Sequence, residues 1–138
     1  MSTPAEFMNE MKEEEEQAAL FAWAGMASGK YPDLALMFHI PNGGYRTKSE
    51  AGRFRAQGVK SGVPDIFLPV ARGDAHGLFI EMKRMTKGRV SGNQTDWINA
   101  LRNNGYVCAV AYGWLMAKDI IIKYLEGSNE DQQNSRRL

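Results

Sequence analysis

Two stretches near the middle of the chain, Asp65 to Val70 and Gly77 to Arg84, alternate in a way that constrains the fold more than anything else in the sequence. Side chains point to opposite faces of a strand at every step. In the first stretch Ile66, Leu68 and Val70 share one face and Asp65, Phe67 and Pro69 the other. In the second, Leu78, Ile80 and Met82 share a face, and Phe79, Glu81 and Lys83 lie opposite. Ala71 to Ala75, with Gly73-Asp74, reads as the turn between them. Both aliphatic faces must meet one core, which sets the register. A turn centred on Gly73 puts Asp65 opposite Glu81, and one centred on Asp74 puts it opposite Lys83. Either way the two acids and the lysine converge on the side of the sheet away from the aliphatic face.

The rest of the chain supplies layers for such a hairpin. Thr3-Pro4 reads as a helix start, with Ala19, Leu20, Trp23, Ala24 and Ala27 forming an apolar face up to about Ser28. Leu34 to Ile40 reads as a strand and Pro41-Asn42-Gly43-Gly44 as a turn. Thr47 to Gln57 reads as a basic helix stopped by Gly58, and Gly92 to Asn104 as a helix capped by Ser91 with Gly105 beyond its end. Tyr106 to Tyr112 is apolar throughout, as expected of a strand covered on both faces. Trp114 to Leu125 reads as the last helix, with Trp114 and Met116 as core positions rather than a base-stacking platform. The order α-β-α-β-β-α-β-α implies a three-layer α/β fold with a mixed sheet flanked by helices. One domain is expected over 1–126, with the polar residues 127–138 as a flexible tail.

Chemistry narrows the reading. Asp65 and Glu81 beside Lys83 can be a simple cross-strand ion pair, an interaction worth little. They can equally hold Mg²⁺, which takes a few carboxylate oxygens and keeps several waters. The Met82 carbonyl between Glu81 and Lys83 is a possible third ligand, and Lys83 is placed to hold or activate a water. The lone Cys108 has no disulfide partner within the chain and lies in an apolar run, so it reads as a buried thiol. The start of the chain lacks a signal-peptide pattern and no run approaches the ~20 apolar residues of a membrane span, so a cytoplasmic location is expected. Net charge is only +1, yet Arg46 to Arg89 holds ten Lys/Arg against four Asp/Glu, while the flanks hold seven against twelve. A basic middle attracts polyanions, nucleic acid above all.

Pro64-Asp65 followed about sixteen residues later by Glu81-Met82-Lys83 resembles the signature of the PD-(D/E)xK nucleases. Further matches run in order from about Glu13 to Leu125: Glu16-Gln17 with Leu20-Phe21-Ala22-Trp23, Ile40-Pro41-Asn42-Gly43-Gly44, Gly58-Val59-Lys60-Ser61-Gly62-Val63-Pro64-Asp65, and Ser91-x-x-Gln94-x-x-Trp97. Together these resemble the virus-type replication-repair nuclease (VRR-NUC) domain, in its stand-alone phage and bacterial form. The same domain ends a eukaryotic crosslink-repair nuclease. The resemblance implies a restriction-endonuclease-like fold, phosphodiester hydrolysis with Mg²⁺ or Mn²⁺, branched DNA such as four-way junctions as substrate, and a homodimer as the working unit. It implies Asp65, Glu81, Lys83 and Gln94 as catalytic residues. Metal ligands would be Asp65, Glu81, the Met82 carbonyl and a glutamate of the first helix, Glu13 or Glu16.

Gln94 lies on the inward face of its helix and reads either as a cap or, on the family pattern, as a residue orienting a water, a ligand or Lys83. Asn42 and Gly43, Arg46, Lys48, Arg53, Lys60, Arg84, Lys87 and Arg89 flank the acids and are the expected DNA contacts. Asn42-Gly43-Gly44 is explained equally well by turn-making alone. His39 and His76 are expected to be structural or surface residues. Phe7, Met8 and Met11 are candidates for a dimer interface. A sequence-specific restriction-type enzyme or a non-catalytic DNA-binding module are the competing readings.

Overall fold

The strand that carries Glu81 and Lys83 is buried at all six of its residues, and the rest of the fold is arranged around it. The computed structural model describes residues 11–41, 47–86 and 88–127. Its elements are α1 (Glu13–Ala27), a 3-10 helix (Pro32–Leu36), β1 (Phe38–His39), α2 (Lys48–Ala56), β2 (Ile66–Leu68), β3 (Leu78–Lys83), α3 (Gly92–Asn103), β4 (Val107–Tyr112) and α4 (Trp114–Glu126). The sheet runs β1-β2-β3-β4. Its first two pairings are antiparallel and β3–β4 is parallel. A parallel neighbour needs a crossover, and α3 supplies it.

Ile66 stands opposite Ile80 and Leu68 opposite Leu78. Continued by one step, that register puts Asp65 opposite Glu81, the outcome of a turn centred on Gly73. Gly73 takes φ +53°, and Arg72 and Ala75 close the tip by reciprocal N–H to carbonyl bonds of 3.1 and 2.9 Å. The aliphatic faces of β2 and β3 pack with Leu20 and Ala24 of α1 and Ala117 and Ile121 of α4 in one core. On the opposite face Phe79 and Cys108 pack against Ile98 of α3, with Phe67, Leu101 and Val110 around them. These are the three layers, with helices on both sides of a mixed sheet. Cys108 is fully buried, which pushes its thiol up to about 12.

Local signals account for the helix ends. The Thr47 side chain accepts the Glu50 N–H at 3.0 Å and starts α2. Ser91 and Gln94 form a reciprocal capping box on α3. Gly127, left-handed at φ +76°, ends α4. The expected strand over Leu34 to Ile40 is corrected. Its first half is the 3-10 helix, because Pro32 at the first helical position lacks an N–H and has its φ pre-set for a helical turn. The Met37 N–H then closes onto the Leu34 carbonyl at 3.1 Å, burying both side chains three residues apart. Only Phe38 and His39 remain as strand. The proposed helix start at Thr3-Pro4, the Asn42 to Gly44 turn, Phe7 and Met8, and the tail from 128 lie outside the described residues. No described helix is long and apolar enough to cross a membrane.

Candidate active site

Asp65, Glu81, Lys83 and Gln94 come together where β2 and β3 begin to separate. The parallel ladder uses the Gly77 and Lys83 carbonyls, bonded by the Val107 and Gly113 N–H groups at 3.0 and 2.9 Å. Alternation then turns the backbone polar groups of Met82 toward the β2 side. The residue that would stand opposite Met82 is Pro64, which has no N–H to give the Met82 carbonyl. The Met82 N–H finds Asp65 instead, donating to Oδ2 at 2.8 Å. The approach to Asp65 is held from α3. Asn93 Nδ2 donates to the Ser61 carbonyl at 2.9 Å and to Ser61 Oγ at 2.7 Å. Gly62, at φ +90°, is so close beneath Asn93 that a Cβ there would lie 2.7 Å from Nδ2. Position 62 therefore tolerates no side chain.

Gln94 serves as a cap and as a site residue at once. Its Oε1 accepts the Ser91 N–H at 2.9 Å. That bond requires the carbonyl end of the amide there, so the amino end faces the sheet, where Nε2 donates to Glu81 Oε1 at 2.7 Å. Lys83 Nζ lies 3.5 Å from the same oxygen, with both side chains buried. Glu81 Oε2 is buried and receives no hydrogen bond from the described residues. A proton, a cation or a water can satisfy it, and the neighbouring Asp65 carboxyl favours positive charge there.

The electrostatics express the same shortage. Burial, with Asp65 as the next cause, pushes the Glu81 carboxyl up to about 8. Burial also raises Asp65, opposed by the Met82 N–H and reinforced by Glu13. A buried and a half-buried carboxyl side by side cannot both ionise cheaply without positive charge near them. A hard divalent ion fits this donor set: two carboxylates and the Met82 carbonyl, with water completing the shell. Among the described residues no group of three or more His, Cys, Asp or Glu side chains is placed to hold a metal. With the side chains as they stand, backbone and water would supply the remaining oxygens.

The two first-helix glutamates are placed differently. Glu16 is 1% exposed, and its Oε2 accepts the Trp114 N–H at 2.6 Å at the first turn of α4. It satisfies a helix N-terminus and is already engaged. Glu13 is exposed and near enough to Asp65 to raise its carboxyl. Of the expected DNA contacts, Lys48 and Arg53 are exposed on α2, and Lys60 and Arg89 are exposed in loops. Arg84 is half-buried, with an Nε that has no hydrogen-bond partner among the described residues. Asn42, Gly43, Arg46 and Lys87 lie outside the described residues.

The sequence profile of the VRR-NUC domain matches residues 11–114, three quarters of the chain. The chain belongs to the VRR-NUC family. A solved structure described as a VRR_NUC domain protein is 30% identical to this chain, covers 85% of it over 90% of its own length, and superposes with a TM-score of 0.73. No curated protein matches. VRR-NUC is a nuclease family whose members generally use divalent metals. The α/β sheet described above is therefore the fold of a VRR-NUC nuclease domain, and the clustered acids lie within the matched span.

Two further residues near the site carried no signal in the sequence. Asn93 looked like any polar residue in a helix's first turn, and its bond to Ser61 depends on a contact across thirty-two positions. His39, expected at the surface, is exposed, yet its Nδ1 lies 2.9 Å from the Asp65 carbonyl. A carbonyl only accepts, so Nδ1 is the donor in that bond.

Proposed function

We propose that this VRR-NUC chain is a divalent-metal-dependent DNA endonuclease that hydrolyses phosphodiester bonds and selects branched DNA, such as four-way junctions. The observation that carries the reading is the buried Glu81 carboxyl, one oxygen without a partner among the described residues and its pKa held at about 8, directly beside Asp65. A surface ion pair has no use for such a costly arrangement, whereas a cation site does. Asp65, Glu81 and the Met82 carbonyl would hold Mg²⁺ or Mn²⁺, with Glu13 reaching in from α1. When bound, the ion supplies positive charge that offsets the phosphate and acidifies nearby water.

The chain's own groups do the rest. Gln94, its amide oriented by the Ser91 cap, holds Glu81 in one rotamer. Lys83, buried next to Glu81, positions the attacking water and stabilises the charge that builds on the phosphate oxygens. Met82, through its N–H, keeps the Asp65 carboxylate turned toward the site. Lys48, Arg53, Lys60, Arg84 and Arg89 would contact the flanking phosphates, with Asn42, Gly43, Arg46 and Lys87 assigned the same role from the sequence.

The test is a cleavage assay on duplex, flap, fork and four-way-junction DNA. Cleavage is expected with Mg²⁺ or Mn²⁺, to be abolished by EDTA, and to be strongest on branched substrates. Full cleavage in excess EDTA would overturn the metal reading. Equal rates on linear duplex would overturn the selectivity. Tight DNA binding without cleavage under any metal would leave a binding module.

A further inference from the structure

Beside Lys83, on the same face of the sheet, stands an exposed aromatic side chain that the catalytic reading does not use. In the parallel pairing Lys83 is the register partner of Tyr112, as Glu81 is of Val110 and Phe79 of Cys108. Register partners on neighbouring strands share a face and lie about 4.8 Å apart. Tyr112 therefore occupies the next place along from Lys83 on the site face, one strand over. It is 39% exposed, at the end of β4, and among the described residues nothing hydrogen-bonds its hydroxyl. A tyrosine at a strand's end beside a charged site is an ordinary surface residue unless its surroundings say otherwise.

Here they do. Met85, Leu115 and Met116 are 55%, 54% and 44% exposed. Met116, expected in the core, instead sets its sulfur 3.3 Å from the Tyr112 N–H at the open edge of β4. Met85 comes from the other side. It lies against Gly113, where a Cβ would be 2.8 Å from Met85 Cγ, and Gly113 is bonded in turn to the Lys83 carbonyl. An exposed aromatic ring, with Met116 against its backbone and Met85 against the next residue, thus adjoins a centre suited to a phosphate.

We infer that Tyr112 stacks on an unpaired nucleobase next to the scissile phosphate, in a neighbourhood of exposed apolar side chains; this rests on the nuclease reading of the site above. The chemistry favours a base over other apolar occupants. Whatever lies on Tyr112 must also accept phosphate-like charge one strand away at Lys83, and a nucleotide joins a flat apolar ring to a phosphate at about that spacing. A base inside a duplex already has both faces stacked. Only a base at a nick, flap or junction offers a free face, so a platform in this position rewards branched DNA. Stacking of this kind contributes roughly 5- to 150-fold per base.

The test uses the full chain and branched DNA carrying 2-aminopurine at the branch, whose fluorescence is quenched by stacking. In EDTA, the wild type and Tyr112→Phe should bind the DNA and quench it. Tyr112→Ala should bind with its quench lost. With Mg²⁺, an abasic site at that position should slow the wild type by roughly 5- to 150-fold and leave Tyr112→Ala no slower than it already is. Thermal unfolding of each variant checks the fold, and Tyr112→Leu keeps bulk without the ring. Quenching by Tyr112→Ala equal to wild type would overturn the assignment. So would a drop in molar mass by light scattering for Tyr112→Ala and Tyr112→Leu, which would make the patch a contact between copies. Tyr112-dependent quenching with no cleavage under any metal would sink the nuclease reading and leave the stacking site standing.

Discussion

Lys83 and Glu81 lie two residues apart on one strand and are expected to fail in different ways. Lys83→Ala removes the group proposed to act on water and leaves the proposed metal ligands in place. The variant should still bind DNA and cleave it roughly 10²- to 10⁴-fold more slowly. Gel-shift and single-turnover assays on one junction would check both halves, and a wild-type rate would remove Lys83 from the site. Glu81 makes the metal-free protein sensitive to pH. Its carboxyl is raised from 4.5 to about 8 in the folded state, so the folded protein keeps a proton that the unfolded chain releases near 4.5. The associated stability is fully present below about 4.5 and is lost as pH rises through about 8. Melting temperature in EDTA should therefore fall across that window, and Glu81→Gln should flatten the fall. Mg²⁺ should raise the melting temperature more at pH 8 than at pH 6, because a cation binds the ionised pair. Identical pH profiles for wild type and Glu81→Gln would refute this account.

Helix termini separate the glutamates that are close neighbours in sequence. Glu16 accepts a partly buried backbone N–H at the start of α4, and Glu13 faces the field of Asp65. Glu16→Ala removes a charge-assisted bond and leaves that N–H unpaired, an expected loss of about 1.5–3 kcal/mol. Glu16→Gln keeps an acceptor and should retain most stability and activity. Glu13→Ala should leave the fold intact and weaken metal binding, read as a higher Mg²⁺ concentration for half-maximal cleavage. The reverse pattern would make Glu16 the ligand. At the start of α3, Ser91→Ala should cost about 1 kcal/mol as a lost cap. Gln94→Ala should lose the cap bond and also slow cleavage, since it frees Glu81 to turn.

For the molecule as a whole, DNA affinity should depend steeply on salt. Lys48→Ala and Arg53→Ala, both on an exposed helix with no buried residue, should each reduce the slope of log affinity against log salt by about 1 without changing the preference among structures. The working unit is proposed to be a homodimer, since one domain of this size offers limited surface for a junction and two-fold symmetry would present two sites to paired strands. Light scattering coupled to size exclusion, with and without a junction, would show this. A monomer in both cases would leave single cuts at flaps or nicks as the better reading.

Periodicity and turn chemistry act locally, so they were legible in the chain alone. Alternation over Asp65 to Val70 and Gly77 to Arg84 determined which side chains share a face, and Gly and Pro marked where elements stop. The spacing of Pro64-Asp65 and Glu81-Met82-Lys83, with the flanking segments, carried the family. Over Leu34 to Ile40 the apolar run suited either a strand or a tight helical turn, and Pro32 with the packing of Leu34 and Met37 decided for the turn. Which register the hairpin takes, that Glu16 caps a helix ninety-eight residues away, that Gln94 serves two bonds with one amide, and that Tyr112 stands beside Lys83 were all decided by tertiary structure. Each depends on a contact between distant segments, and the energy of such a contact exists only once the layers have closed and water has left them.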